Sequence, residues 1–152
     1  MDWRKVTIGE ALRRSARNWP GNDFVVGMRQ RINYATFDAQ VDSLAKGFLD
    51  LGVGRGDHVA CWLTNSPAWL LTWFACCRIG ATVVSINTRY KVSEVEYILR
   101  QSDAKVLVAM PEYWNIDYLG MIREMAPGFE SDTPGQMQID GLPELRAVVL
   151  WD

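Results

Sequence analysis

From residue 58 onward, short apolar runs and helix-length segments take turns along the chain, and this alternation constrains the fold more than any other feature. The spacing predicts strand 58–63, a helix over 68–79 entered through Pro67, and strand 82–86. A helix over 94–101 follows, capped by Ser93-x-x-Glu96, then strand 105–108, a helix over about 114–126 ending at Pro127-Gly128, and strand 147–150. Strands of four to six apolar residues separated by helices of ten or so residues cannot pair as hairpins. They need crossover connections, so the expectation is a mostly parallel sheet with helices on its faces.

The first third of the chain is built differently. Thr7-x-x-Glu10 is a capping-box pattern that opens a short basic helix to about Asn18, where Trp19-Pro20-Gly21 stops it. Segments 24–28 and 31–33 read as a small hairpin around Arg29-Gln30. From Phe37, the apolar positions Val41, Leu44, Ala45, Phe48 and Leu49 recur at helical spacing until Gly52 ends the stripe. Between Pro127 and Pro143 lie three prolines and three glycines, a stretch too long for a routine connection, and the expectation is a mobile surface excursion. The chain is thus divided into a helix plus hairpin (1–35), an alternating core (36–126), a loop excursion (127–144) and a last strand (145–152), all within one domain.

Composition bounds the function classes. With 152 residues, 49% apolar and 22% charged, the chain has the makeup of one soluble globular domain. Its net charge of −2 hides a basic first part and an acidic last part, without the basic run or interleaved aromatics that nucleic acid requires. Three cysteines, two of them adjacent, do not form a secreted disulfide framework, and no apolar export signal follows the first residues. The longest nearly apolar segment, 68–77, falls short of the ~18–20 residues of a membrane span. A cytoplasmic, reducing location is the expectation.

Several tempting sites fail on context. Leu51-Gly52-Val53-Gly54-Arg55-Gly56-Asp57 has its glycines two apart, after a helix and before a strand, whereas a dinucleotide loop follows a strand and opens a helix. His58, the single histidine, neighbours Asp57, but adjacent residues on a strand point to opposite faces and make a poor base and orienter. One histidine and three scattered thiols do not make a metal site. Cys76 and Cys77 read as small core residues. Seven tryptophans are many for this length, and core packing is the expected role of each. The helix over 68–79 is apolar all round, which predicts cover on every side, supplied from outside this chain.

Taken together, I-N-Y-A-T-F, L-G-V-G-R-G-D-H-V-A, N-S-P-A-W, R-I-G-A-T-V-V-S-I-N-T-R-Y, S-E-V-E-Y-I-L and S-D-A-K-V-L-V stand in one order between Ile32 and Val108. That order closely resembles the beginning of the AMP-forming acyl-CoA synthetases of the adenylate-forming superfamily. The resemblance implies a parent that uses ATP, Mg²⁺ and CoA to convert a carboxylic acid to an acyl-adenylate and then to an acyl-CoA. N-T-R-Y-K and E-V-E-Y-I-L are worded more like the fatty and medium-chain ligases than like peptide-synthetase domains. The family's phosphate loop, its aromatic-Thr-Glu segment, its ribose-binding Asp and its late lysine have no counterpart here, so no catalytic residue is expected in this chain.

One position is a candidate ligand contact. Asn87-Thr88-Arg89-Tyr90 should follow a strand at the carboxyl edge of the sheet, where open α/β sheets bind ligands. Arg89 occupies the place of the family's N-x-R arginine, which implies contact with the phosphates of CoA; a surface or domain-contact arginine is the alternative. For the chain as a whole, the alternatives are a flavodoxin-like binding module and a non-catalytic scaffold. The expected partners are the remainder of the parent enzyme and further copies of this chain, since an apolar helix and open strand edges favour self-association.

Overall fold

The computed structural model describes residues 5–27 and 30–151. Helix α1 (Ile8–Asn18) starts where expected, with the Thr7 hydroxyl accepting from the Glu10 N–H, while the Glu10 carboxylate pairs with Arg14 rather than closing the box. Strands β1 (Asp23–Val26) and β2 (Arg31–Asn33) pair antiparallel as the predicted hairpin; of its expected turn Arg29-Gln30, Arg29 lies outside the described residues, as does Met28 at the end of the first predicted segment. Helix α2 (Tyr34–Asp50) begins three residues before Phe37, because the Asn33 side chain caps it by accepting from the Thr36 N–H.

Four strands form the central sheet: β3 (His58–Trp62), β4 (Thr82–Ser85), β5 (Ala104–Ala109) and β8 (Ala147–Leu150). Their order is β4-β3-β5-β8 and every neighbour pair is parallel. Nearly all side chains of β3 and β5 are buried, so helices cover both faces of the sheet's centre. The predicted α/β architecture, a parallel sheet flanked by helices, is what the chain adopts.

Helix α3 (Pro67–Ile79) runs from β3 to β4. Ser66 caps it by accepting from the Trp69 N–H, and Gly80 ends it at φ 76°, a left-handed conformation that disfavours any side chain. None of its residues is exposed. The cover comes largely from α1 and α2 of this same chain, which pack against it, and this corrects the expectation of an outside layer. Arg78, with only 10% of its side chain accessible, fastens the three helices together. Its guanidinium donates to Asp42 at 2.6 Å and to Asp38, and Asp42 also accepts from Arg13 at 2.9 Å.

Three further elements depart from expectation. Helix α4 (Val92–Gln101) starts before Ser93, since the Glu94 carboxylate accepts from the Lys91 N–H at 2.9 Å and makes Lys91 the cap; Glu96 instead pairs with Arg100. The helix expected over 114–126 is divided. Strands β6 (Glu112–Tyr113) and β7 (Ile116–Asp117) make a tight hairpin, and only then does α5 (Tyr118–Met125) begin, capped by Asp117 accepting from the Gly120 N–H at 2.7 Å. The 127–143 stretch is not a free surface excursion. A 3-10 turn (Phe129–Ser131) and the buried side chains of Phe129, Met137, Ile139 and Leu142 pin it to the core, and the Gly135 and Met137 N–H groups both donate to the Arg146 carbonyl.

Candidate functional site

At the carboxyl end of β4, Ile86 turns inward and donates its N–H to the Cys61 carbonyl at 2.9 Å, which extends the strand pairing by one residue. The chain then folds over as Asn87-Thr88-Arg89-Tyr90. The Asn87 side chain accepts from the Arg89 N–H at 2.9 Å and the Asn87 carbonyl accepts from the Tyr90 N–H at 3.1 Å, so the turn is closed twice by its own first residue. Asparagine is suited to this role because its short amide mimics the backbone.

Two buried aromatic residues support the turn from below. The Trp62 indole Nε1–H donates to the Asn87 carbonyl at 3.1 Å, and the Tyr118 hydroxyl donates to the Thr88 carbonyl at 2.9 Å. Both side chains are fully buried, and their rings meet edge to face, 4.7 Å apart at 84°. Burial pushes the Tyr118 phenol above its ordinary pKa, so the hydroxyl stays a donor. The backbone of the turn is therefore fixed, while Arg89 and Lys91 stand in solvent beside it. Among the described residues no carboxylate lies within ion-pair distance of the Arg89 guanidinium. Such a group is available for a phosphate.

The other sequence candidates fall elsewhere. Asp57, at the opposite end of β3, accepts from the Gly54 N–H at 2.7 Å and pairs with Lys105 at 2.9 Å; these contacts, the Gly54 hydrogen bond first, hold its carboxyl below the usual range. Its partner is thus Lys105 rather than His58. Cys61 and Cys76 are buried thiols pushed up to about 12 by desolvation, and Cys77 is raised for the same reason; the reading of a small core residue holds for Cys76, while Cys77 is only half-buried. Among the described residues no group of three metal-ligating side chains comes together, and no helix is long and apolar enough to cross a membrane. Of the tryptophans, Trp62 is core as expected, but Trp19 at 54% and Trp114 at 88% are exposed and contradict the core reading. Sequence reasoning missed Trp62 and Tyr118 as the supports of the turn, since they lie 25 and 30 residues from it along the chain.

Comparison with known proteins meets this geometry. The chain is 37% identical over 145 residues to YngI of Bacillus subtilis (strain 168), covering 94% of this chain and 26% of that protein. It is 32% identical over 148 residues to the mitochondrial medium-chain acyl-CoA ligase ACSF2 of Rattus norvegicus, covering 96% of this chain and 24% of the ligase. Its fold superimposes on the crystal structure of the N-terminal domain of FACL13 from Mycobacterium tuberculosis with a TM-score of 0.77, at 26% identity over 95% of this chain and 33% of that one. The chain spans about a quarter of the length of the curated relatives it matches. The model of the family described as AMP-binding enzyme matches residues 12–147, and the chain therefore belongs to that family, in which it corresponds to the N-terminal region of the acyl-CoA ligases.

Proposed function

We propose that this chain is the N-terminal α/β layer of an ATP-dependent carboxylic acid–CoA ligase of the fatty or medium-chain class, and that Arg89 holds a phosphate of CoA. The observation that supports it is the rigid turn at the carboxyl edge of β4, which presents an exposed guanidinium, without a carboxylate partner among the described residues, where open α/β sheets take their ligands. A carboxylate oxygen is a poor leaving group, so the acid is first joined to AMP with loss of pyrophosphate, and the CoA thiolate then displaces AMP. Arg89 contributes charge and orientation in the second step by fixing the nucleotide end of CoA. ATP and Mg²⁺ belong to the first step.

The chain by itself is proposed to be inactive. The whole protein, extended to the length of its relatives, should convert a fatty or medium-chain acid, ATP and CoA to acyl-CoA, AMP and pyrophosphate, while chain 1–152 should show no acid-dependent ATP–pyrophosphate exchange. Robust exchange by the pure chain, or a whole protein that forms no acyl-adenylate, would contradict the proposal. Two properties of the isolated chain belong to the same reading. Its unpaired thiols fit a reducing compartment, for which we propose the cytoplasm. Its sheet leaves β4 and β8 as open edges, and self-association is the expected consequence. Sedimentation velocity at tens of micromolar should show species above the monomer; a clean monomer would remove that expectation.

A further inference from the structure

The most unusual surface feature is the β6–β7 hairpin. Glu112 pairs with Asp117 and Tyr113 with Ile116, which leaves Trp114 and Asn115 as a two-residue turn. Trp114 sits at φ 55°, a left-handed conformation that bulky residues rarely adopt, and its side chain is 88% exposed. Its ring lies parallel to that of Tyr113, 5.6 Å away at 13°, and Tyr113 is itself 41% exposed. A large apolar side chain held in solvent by a strained backbone is stable only where the surroundings impose it, and such strain gathers at ligand contacts.

The hairpin is tied to the turn that carries Arg89. The Leu119 N–H donates to the Pro111 carbonyl at 2.9 Å and closes the hairpin's base, and Tyr118, the first residue of α5, bonds to the Thr88 carbonyl. The hairpin follows β5 and the Arg89 turn follows β4, the two strands that flank β3, so both rise from the carboxyl edge of the sheet.

We infer that the Tyr113–Trp114 tip is a stacking platform for the adenine ring of coenzyme A. This rests on the ligase reading above and assigns a part of the ligand that reading leaves unplaced. A flat, neutral, exposed indole is complementary to the face of a purine. The adenine of CoA lies at the far end from the thiol, so it is held at the rim of a site, in solvent, while the thiol reaches inward; an exposed tip suits it. Phosphates belong on the other side, at Arg89 and Lys91, because the tip itself is flanked by the carboxylates of Glu112 and Asp117. Those carboxylates also disfavour an anionic lipid surface.

The test compares two thiol acceptors in the whole enzyme: CoA, and phosphopantetheine, which lacks the adenine. Trp114→Ala should raise the KM for CoA about 5- to 150-fold, the range for losing one stacked base. The KM for phosphopantetheine, the KM for ATP and the pyrophosphate exchange rate should not move, and Trp114→Phe should restore most of the loss. An unchanged KM for CoA, an equal rise for both acceptors, or a rise confined to ATP would overturn the platform while leaving the ligase reading in place. So would loss of binding to phosphatidylcholine vesicles with CoA kinetics unaltered, which would make the tip a lipid anchor. Should the wild-type enzyme form the adenylate and transfer it to no thiol, the ligase reading fails separately. Titration of the chain with 3′,5′-ADP then decides the platform: weakening by the same factor in Trp114→Ala supports it, and equal binding overturns it.

Discussion

Trp62→Ala is expected to destabilise the folded chain by about 4 kcal/mol, the middle of the range for removing a large aromatic side chain from a core. The indole is fully buried at the end of β3, meets the Tyr118 ring edge to face, and donates to the Asn87 carbonyl. Truncation removes all three contacts. Trp62→Phe keeps most of the ring and loses chiefly the hydrogen bond, and about 1–2 kcal/mol is expected. Urea unfolding at fixed protein concentration measures both. A loss below about 1 kcal/mol in Trp62→Ala would mean that the aromatic pair does not carry the turn.

The elements that the sequence made legible are those whose ends are set by local chemistry. Pro67 and Gly80 bracket α3, and the apolar runs of β3, β4, β5 and β8 stand within two residues of their predicted ends. Arg89 could be placed at a strand end for the same reason. What stayed hidden depends on residues distant in sequence or on conformations that propensity argues against. Tyr113, Ile116, Leu119 and Ile122 fall at helical spacing, and nothing local announces that Trp114 will take a positive φ and turn the chain back. Lysine is an uncommon helix cap, and Lys91 serves only because Glu94 reaches back to its N–H. Met137, Ile139 and Leu142 are isolated apolar residues among glycines and prolines, without periodicity, and only the surface that receives them reveals them as anchors. The supports of the site were invisible for the same reason: Trp62 and Tyr118 each look like ordinary core residues until the turn is seen resting on them.

In the whole enzyme, Arg89→Ala is expected to separate the two half-reactions. The guanidinium is exposed, and no carboxylate pairs with it among the described residues, so its removal should leave the fold intact. The backbone of its turn is held by Asn87, Trp62 and Tyr118, none of which needs the Arg89 side chain. On the proposed role of Arg89, what is lost is a charge-assisted hydrogen bond to a phosphate of CoA, about 1.5–3 kcal/mol, which corresponds to a KM for CoA raised roughly 10- to 150-fold if CoA binds near equilibrium. Arg89→Lys should recover part of this, because an ammonium keeps the charge without the fork. Adenylation uses acid and ATP, so its rate should stay near that of the wild type.

The most direct measurement is acid-dependent ATP–pyrophosphate exchange and CoA-dependent thioester formation, run side by side on wild-type and Arg89→Ala enzyme. Unchanged exchange is expected, together with a thioester reaction that needs far more CoA. Equal losses in both half-reactions would assign Arg89 to the fold or to a domain contact, and no loss in either would contradict a role for this edge of the sheet in holding CoA.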